Sequence, residues 1–357
     1  MRTRTWIARC SLVGLGSLVA CAGGGDSDSG SSSSFTGVGG TLTTSSGQTD
    51  SASDPTDTAT DGGETSSSDS GEKLDVASDE TGDGTNPVTG CAKVDILFVV
   101  DNSASMGQYQ VRLTEEFPTF IDSMYEALPV GTDLHVGITT TTFAGPFECT
   151  ENEVEMNCQS SATPAVITDN YIKPTMGNLG INGAQGQLFS FAGKHYFDTT
   201  TDVDPADLTT WFTGAMTSAG ENGCTFEMPV AAAGWAFDGL NVATNDGFAR
   251  DEGALLVLFF LTDEPDKTPD SKNDHVNRVL AAKSECGGAD CVVVSGLIDP
   301  CVAVPTTNNK LWQFMTAFDD VEDPLFGDII DTQNYGDVVG ATLGQTIADA
   351  CEQIPVG

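Results

Sequence analysis

From residue 91 onward, two textures of hydrophobic and polar positions alternate along the chain. Residues 94–100 (Val-Asp-Ile-Leu-Phe-Val-Val) form a near-continuous apolar run, as in strands buried on both faces of a parallel sheet. Leu113, Phe117, Phe120, Ile121, Met124 and Leu128 then recur at helical spacing, with Pro118 inside that helix, where it should kink it. Residues 134–140 read as a second strand. Residues 204–216 and 229–240 read as helices, the latter opened by Pro229. Residues 254–261 are the most apolar strand of the chain. A helix over 276–282, a strand over 291–297 and a helix over 311–318 follow. A short strand near 328–330 precedes a last helix marked by Val339, Leu343, Ile347 and Ile354. Strand alternating with helix predicts a doubly wound, mostly parallel α/β sheet flanked by helices.

The residues before position 91 have a different character. Arg2, Arg4 and Arg9 precede a short apolar stretch, residues 10–20, which is about half of the roughly 20 residues a spanning helix needs. This is the layout of a secretory signal over 1–20. Its last residues, Leu18-Val19-Ala20-Cys21, resemble the lipobox of bacterial lipoproteins, which implies lipidation at Cys21. Ala22, rather than Asp, follows that Cys, which resembles outer-membrane sorting. Residues 21–90 are dominated by Ser, Thr, Gly and Asp, with 13 acidic residues against Lys73 alone. Such a segment cannot bury enough apolar surface to order itself, so a disordered tether is expected. The folded domain is therefore expected over 91–357.

Charge and cysteine count narrow the function classes. The chain has 14 Lys and Arg against 52 Asp and Glu, a formal net charge of −38. No basic footprint for nucleic acid exists. Ten cysteines argue for an oxidising compartment. Cys91, ahead of the first strand, and Cys351, in a last helix returning to the same sheet edge, should pair. Cys286 and Cys291 should pair locally. Cys149, Cys158, Cys224 and Cys301 should gather at the opposite edge, in one of three connectivities. The three histidines, His135, His195 and His275, stand in no zinc or nucleophile motif. No phosphate loop, dinucleotide loop or nucleophile elbow is present, so a binding protein is expected rather than an enzyme.

In open α/β sheets, ligands bind at the carboxyl ends of the strands. Directly after the first strand stands Asp101-Asn102-Ser103-Ala104-Ser105, and after the long apolar strand stands Thr262-Asp263-Glu264. Oxygen-only ligation by an Asp and two Ser in a strand-to-helix loop suits a hard cation. Here the chain resembles the von Willebrand factor type A domain, through Asp101-x-Ser103-x-Ser105 and Thr262-Asp263 at the ends of their strands. The resemblance implies a metal-ion-dependent adhesion site holding Mg²⁺ or Mn²⁺. Its ligands would be Asp101, Ser103, Ser105, Asp263 and a Thr from a Gly-rich middle loop, assigned to Thr225 within residues 220–227. The remaining position would take a carboxylate from a protein or glycan partner. The acidic run Asp263, Glu264, Asp266, Asp270 and Asp274 is a candidate for a second ion, Ca²⁺.

The expected function is a lipid-anchored cell-surface adhesion module of the outer membrane, reaching the membrane by its anchor only. The alternatives are a metal-independent assembly component of an envelope complex, and a metal hydrolase in which the cation activates water. The insertion over 143–202, rich in Gly, Asn and Gln, should carry specificity and include an antiparallel edge strand near 187–191.

Overall fold

The computed structural model describes residues 91–145, 165–174, 178–302, 309–318 and 326–330, with scattered positions between 335 and 351. Cys21, Cys149, Cys158, the signal over 1–20 and the tether over 21–90 lie outside the described residues, as do 146–164 and 175–177 of the insertion.

The elements in chain order are β1 (Lys93–Val100), α1 (Gly107–Ala127), β2 (Asp133–Thr140), α2 (Ala165–Asn170), β3 (Tyr196–Thr200) and α3 (Ala206–Ala219). They continue with α4 (Pro229–Ala236), α5 (Val242–Asn245), β4 (Ala254–Thr262), α6 (Lys272–Ala282), β5 (Val292–Ile298), α7 (Lys310–Met315) and β6 (Gly327–Asp328). The described residues between 335 and 351 are helical. The sheet order is β3-β2-β1-β4-β5-β6, with β3 antiparallel and every other pairing parallel. This is the doubly wound, mostly parallel sheet read from the sequence.

Alternation within the apolar strands divides the core. Ile96, Phe98 and Val100 of β1, with Val257 and Phe259 of β4, face α1, α3 and Ile347. Leu97 and Val99, with Leu258 and Phe260, face α4, α6 and α7. Phe98 is the hub of the first layer, with ring contacts to Phe117, Phe120, Phe212 and Phe259. Every residue of β4 is buried, which explains its unbroken apolar run. Pro118 sits inside α1 on its exposed side without ending the helix. There, water can reach the carbonyl that its missing N–H leaves free.

The edge strand differs from expectation. The antiparallel partner of β2 is Tyr196–Thr200, not the segment near 187–191. That segment makes one isolated bridge, Phe191 to Lys194. The edge of β2 is covered in two pieces. β3 pairs with Asp133 to Gly137, while Phe189 N–H donates to Ile138 O (2.7 Å) and Thr140 N–H donates to Gly183 O (2.8 Å). The second piece is a folded loop because Gly183, Gln185 and Gly186 all take positive φ (80°, 60° and 76°), which no extended strand can accommodate.

Both cysteine pairs with described partners are disulfides, Cys91 to Cys351 and Cys286 to Cys291. Cys224 and Cys301 are also disulfide-bonded. At the amino edge of the sheet, buried Asp95 accepts from the Arg250 backbone N–H and Nε (2.7 Å each), and Lys283 Nζ donates to Arg250 O.

Candidate cation site at the carboxyl edge of the sheet

The central strands β1 and β4 end side by side, and Asp101 N–H donates to Leu261 O (2.9 Å). This register brings Asp101 against Thr262, whose hydroxyl donates to Asp101 Oδ2 (3.0 Å). Asp101 Oδ1 accepts from Ser103 N–H (2.9 Å), a turn contact expected of an Asp two residues before its donor. The chain then enters a single 3₁₀ turn, Ala104–Met106, and α1 begins at Gly107.

That turn presents both serines. Ser103 Oγ and Ser105 Oγ are 3.0 Å apart, and Ser105 Oγ donates to Asp263 Oδ1 (3.2 Å). Four of the five residues expected to ligate an ion therefore form one connected row: Asp101, Ser103, Ser105 and Asp263. The row runs from full burial at Asp101 to exposure at Ser105.

The fifth residue, Thr225, is exposed. The residue that its loop turns inward is Glu227, fully buried and within hydrogen-bonding reach of Asp101. Thr141 donates its hydroxyl to Glu227 Oε2, while Glu227 Oε1 is buried without any donor. Two further side chains that sequence reasoning missed hold the loops together. Gln110 Nε2 lies 3.0 Å from both Asp101 O and Gly220 O, to which it donates. Asn102 accepts from Gly223 N–H at its backbone oxygen (2.6 Å) and from the Thr142 hydroxyl at Oδ1 (3.0 Å). A Cβ on Gly223 would strike the Asn102 amide, so only glycine permits this approach.

The electrostatics are those of carboxylates crowded together. Burial pushes the Asp101 carboxyl up. Burial, and then the Asp101 charge, pushes Glu227 well above the carboxylate range. The same causes raise Asp263 to about 6 and, with Asp263 added, Glu264 to about 7. Lys267 pulls Glu264 partway back.

Whether these residues fit a cation is answered by the buried oxygens. Two dehydrated carboxylates face each other, and one oxygen has no donor, an arrangement that costs several kcal/mol per ion unless positive charge or protons compensate it. Among the described residues, no group of three or more His, Cys, Asp and Glu is assembled to hold a metal ion. The donor set is mixed, with hydroxyls lying between carboxylates. Oxygen-only donors of this kind fit a hard divalent cation such as Mg²⁺, Mn²⁺ or Ca²⁺.

The acidic run after β4 does not converge on a second ion. Asp266 accepts from Val230 N–H (3.0 Å) and from Thr268, and so anchors the start of α4. Asp270 is taken by the Tyr171 hydroxyl (2.9 Å) and Lys173. Asp274 lies in the first turn of α6.

A cleft of about 520 Å³ opens beside the site. Asn102, Thr142 and Gly223 form its wall on the site side. Asn182, Phe189 and Phe191 of the insertion form the other.

Fold and site together define a doubly wound α/β domain with a hydroxyl-and-carboxylate pocket at the carboxyl edge of its sheet. No protein-family model matches the sequence, and no curated protein matches it. Among solved structures, the chain is similar to the pilus adhesin SpaC from Lactobacillus rhamnosus GG in its open conformation. That match has 14% identity and a TM-score of 0.36, and covers 72% of this chain and 30% of the adhesin. It is also similar to a von Willebrand factor type A protein from Catenulispora acidiphila (12% identity, TM-score 0.33, 72% of this chain and 43% of the other). A third similar structure is proximal thread matrix protein 1 from the mussel byssus (14% identity, TM-score 0.34, 74% and 47%). The chain thus spans less than half the length of each of these proteins.

Proposed function

We propose that the domain is an adhesion-type binding module that holds a divalent cation at the carboxyl edge of its sheet and uses it to capture an acidic group of a protein or glycan partner. The observation that carries this reading is the row Asp101, Ser103, Ser105 and Asp263, joined at 2.9–3.2 Å across two strands far apart in sequence. When bound, the cation supplies Lewis acidity toward a partner's oxygen and reverses the sign of a strongly acidic surface locally. The chain's own residues do the rest. Thr262 and the Ser103 N–H fix the Asp101 carboxylate, Gln110 locks the loop behind it, and exposed Ser105 marks the open side. The adjoining cleft, half built from the insertion, is where specificity would reside. Delivery to a cell surface through lipidation at Cys21 belongs to the same proposal. No helix among the described residues is long and apolar enough to cross a membrane.

A second reading rests on a specific observation. Ser103, Ser105 and Asp263 are linked to one another by hydrogen bonds and Thr262 donates to Asp101, so these side chains have partners within the protein. Metal-independent docking in an envelope assembly would use the same surface. Capture of surface partners in Mg²⁺, and then in EDTA, separates the two. Cation-dependent capture should be lost in EDTA and in the Ser103→Ala, Ser105→Ala double variant, with little change in the melting temperature of the cation-free protein. Capture that ignores both changes leaves only the docking reading.

A further inference from the structure

We propose that Glu227 is the side chain this loop gives to the cation, in place of the neutral hydroxyl of Thr225, so that the site holds its ion without help from any partner. The inference rests on the cation reading above and extends it to a residue that neither the motif nor the resemblance assigns. Glu227 is 0% exposed, its Oε1 has no donor, and it faces Asp101, which is also 0% exposed. Its other oxygen is positioned by Thr141, which itself continues from the end of β2 and is tied to β1 through Thr141 N–H to Val100 O (3.1 Å). The carboxylate is therefore mounted on rigid backbone and aimed at Asp101, while Thr225, two residues earlier, is exposed.

The chemical consequence is one of charge. The row Asp101, Ser103, Ser105 and Asp263 brings two carboxylates, one of them at the open rim, which only match the charge of a divalent ion. Glu227 adds a third, fully buried one, so the protein's own charge more than neutralises the ion before a partner arrives. The ion then belongs to the resting protein. Any acidic group that binds gains coordination to it, but less from net charge.

The test uses the full chain, with calorimetric titration of Mg²⁺, Mn²⁺ and Ca²⁺ and thermal melting in the absence of partner. The wild type should bind one ion and melt at a higher temperature with it. Glu227→Gln keeps the shape and the Thr141 hydrogen bond and removes the charge. It should weaken cation binding by at least about tenfold and leave the cation-free melting temperature equal to or above that of the wild type. Thr225→Ala should bind as the wild type does. Equal cation affinity in wild type and Glu227→Gln overturns this inference alone, as does a loss confined to Thr225→Ala. Absence of cation binding in the wild type overturns the cation reading itself and this inference with it.

Discussion

At the scale of single residues, burial decides which polar groups titrate unusually. His275 is fully buried against Gly234 and the edge of Trp235, and neither ring nitrogen has a hydrogen-bond partner. Asp270 Oδ2 lies 3.8 Å away, but its charge is already engaged by Lys173 and the Tyr171 hydroxyl. Burial, and then the charge of Arg278, lowers the His275 pKa to about 3. Below a pH of about 6.5, the unfolded chain takes up a proton that the folded chain refuses, so stability falls as pH drops from there toward 3. Replacing His275 with Gln should remove a part of the acid slope worth up to about 1.4 kcal/mol per pH unit, read by urea unfolding at several pH values.

The same scale shows what sequence could and could not reveal at the site. That Asp101, Ser103, Ser105 and Asp263 come together could be read from the sequence because Asp101 and Asp263 directly follow apolar strands and the two serines lie in the loop after the first. Glu227 could not be, because an acidic residue just ahead of a helix opening with Pro229 reads as a solvated first-turn partner of the helix dipole. Its neighbours carried the missing signal. Phe226 and Met228 are both buried, so the segment that carries Glu227 runs through the interior instead of along the surface. Gln110 was hidden for another reason, since a polar residue on an amphipathic helix gives no sign of which loop carbonyl it will meet.

At the scale of elements, the amino edge of the sheet is fastened by charge as well as by apolar packing. Arg250, in the connection before β4, reaches back to Asp95 in β1 and to Asp133 in β2. Burial pushes the Asp95 carboxyl up and Arg250 draws it down again, so the two groups depend on one another. Arg250→Met would strand a buried carboxylate and should cost about 3–5 kcal/mol, measured by chemical denaturation. Adding Asp95→Leu to that variant should restore most of the loss, because the penalty lies in the unpaired charge. The edge strand shows why element boundaries escaped sequence reasoning. The segment 187–191 is apolar and looks like a strand, yet positive φ at Gln185 and Gly186 turns it into a loop, and the less apolar Tyr196–Thr200 takes the edge.

At the scale of the whole molecule, the disulfide between Cys91 and Cys351 closes 260 residues into a ring. On the chain-entropy model, a loop of this length stabilises the fold by roughly 5.5 kcal/mol. Cys91→Ser with Cys351→Ser should lower the denaturation free energy by about that amount while leaving cation binding intact, since the bond and the site lie at opposite edges of the sheet.

That separation also sets how the domain would bear load. A pull entering through the residues ahead of Cys91, and resisted by a partner held beside Asp101, runs along the full length of β1. This strand is central and is paired residue for residue over Lys93 to Val100 with β2 on one side and with β4 on the other. Load that enters at Lys93 and leaves through Asp263 at the end of β4 would cross the β1–β4 ladder in shear, so its bonds would have to slip together instead of opening one after another. Cys351 diverts part of the same tension into the last helix before it reaches the sheet. On the function proposed above, the strand that positions the ion ligands would also be the one that carries load between an anchor ahead of Cys91 and a partner at Asp101.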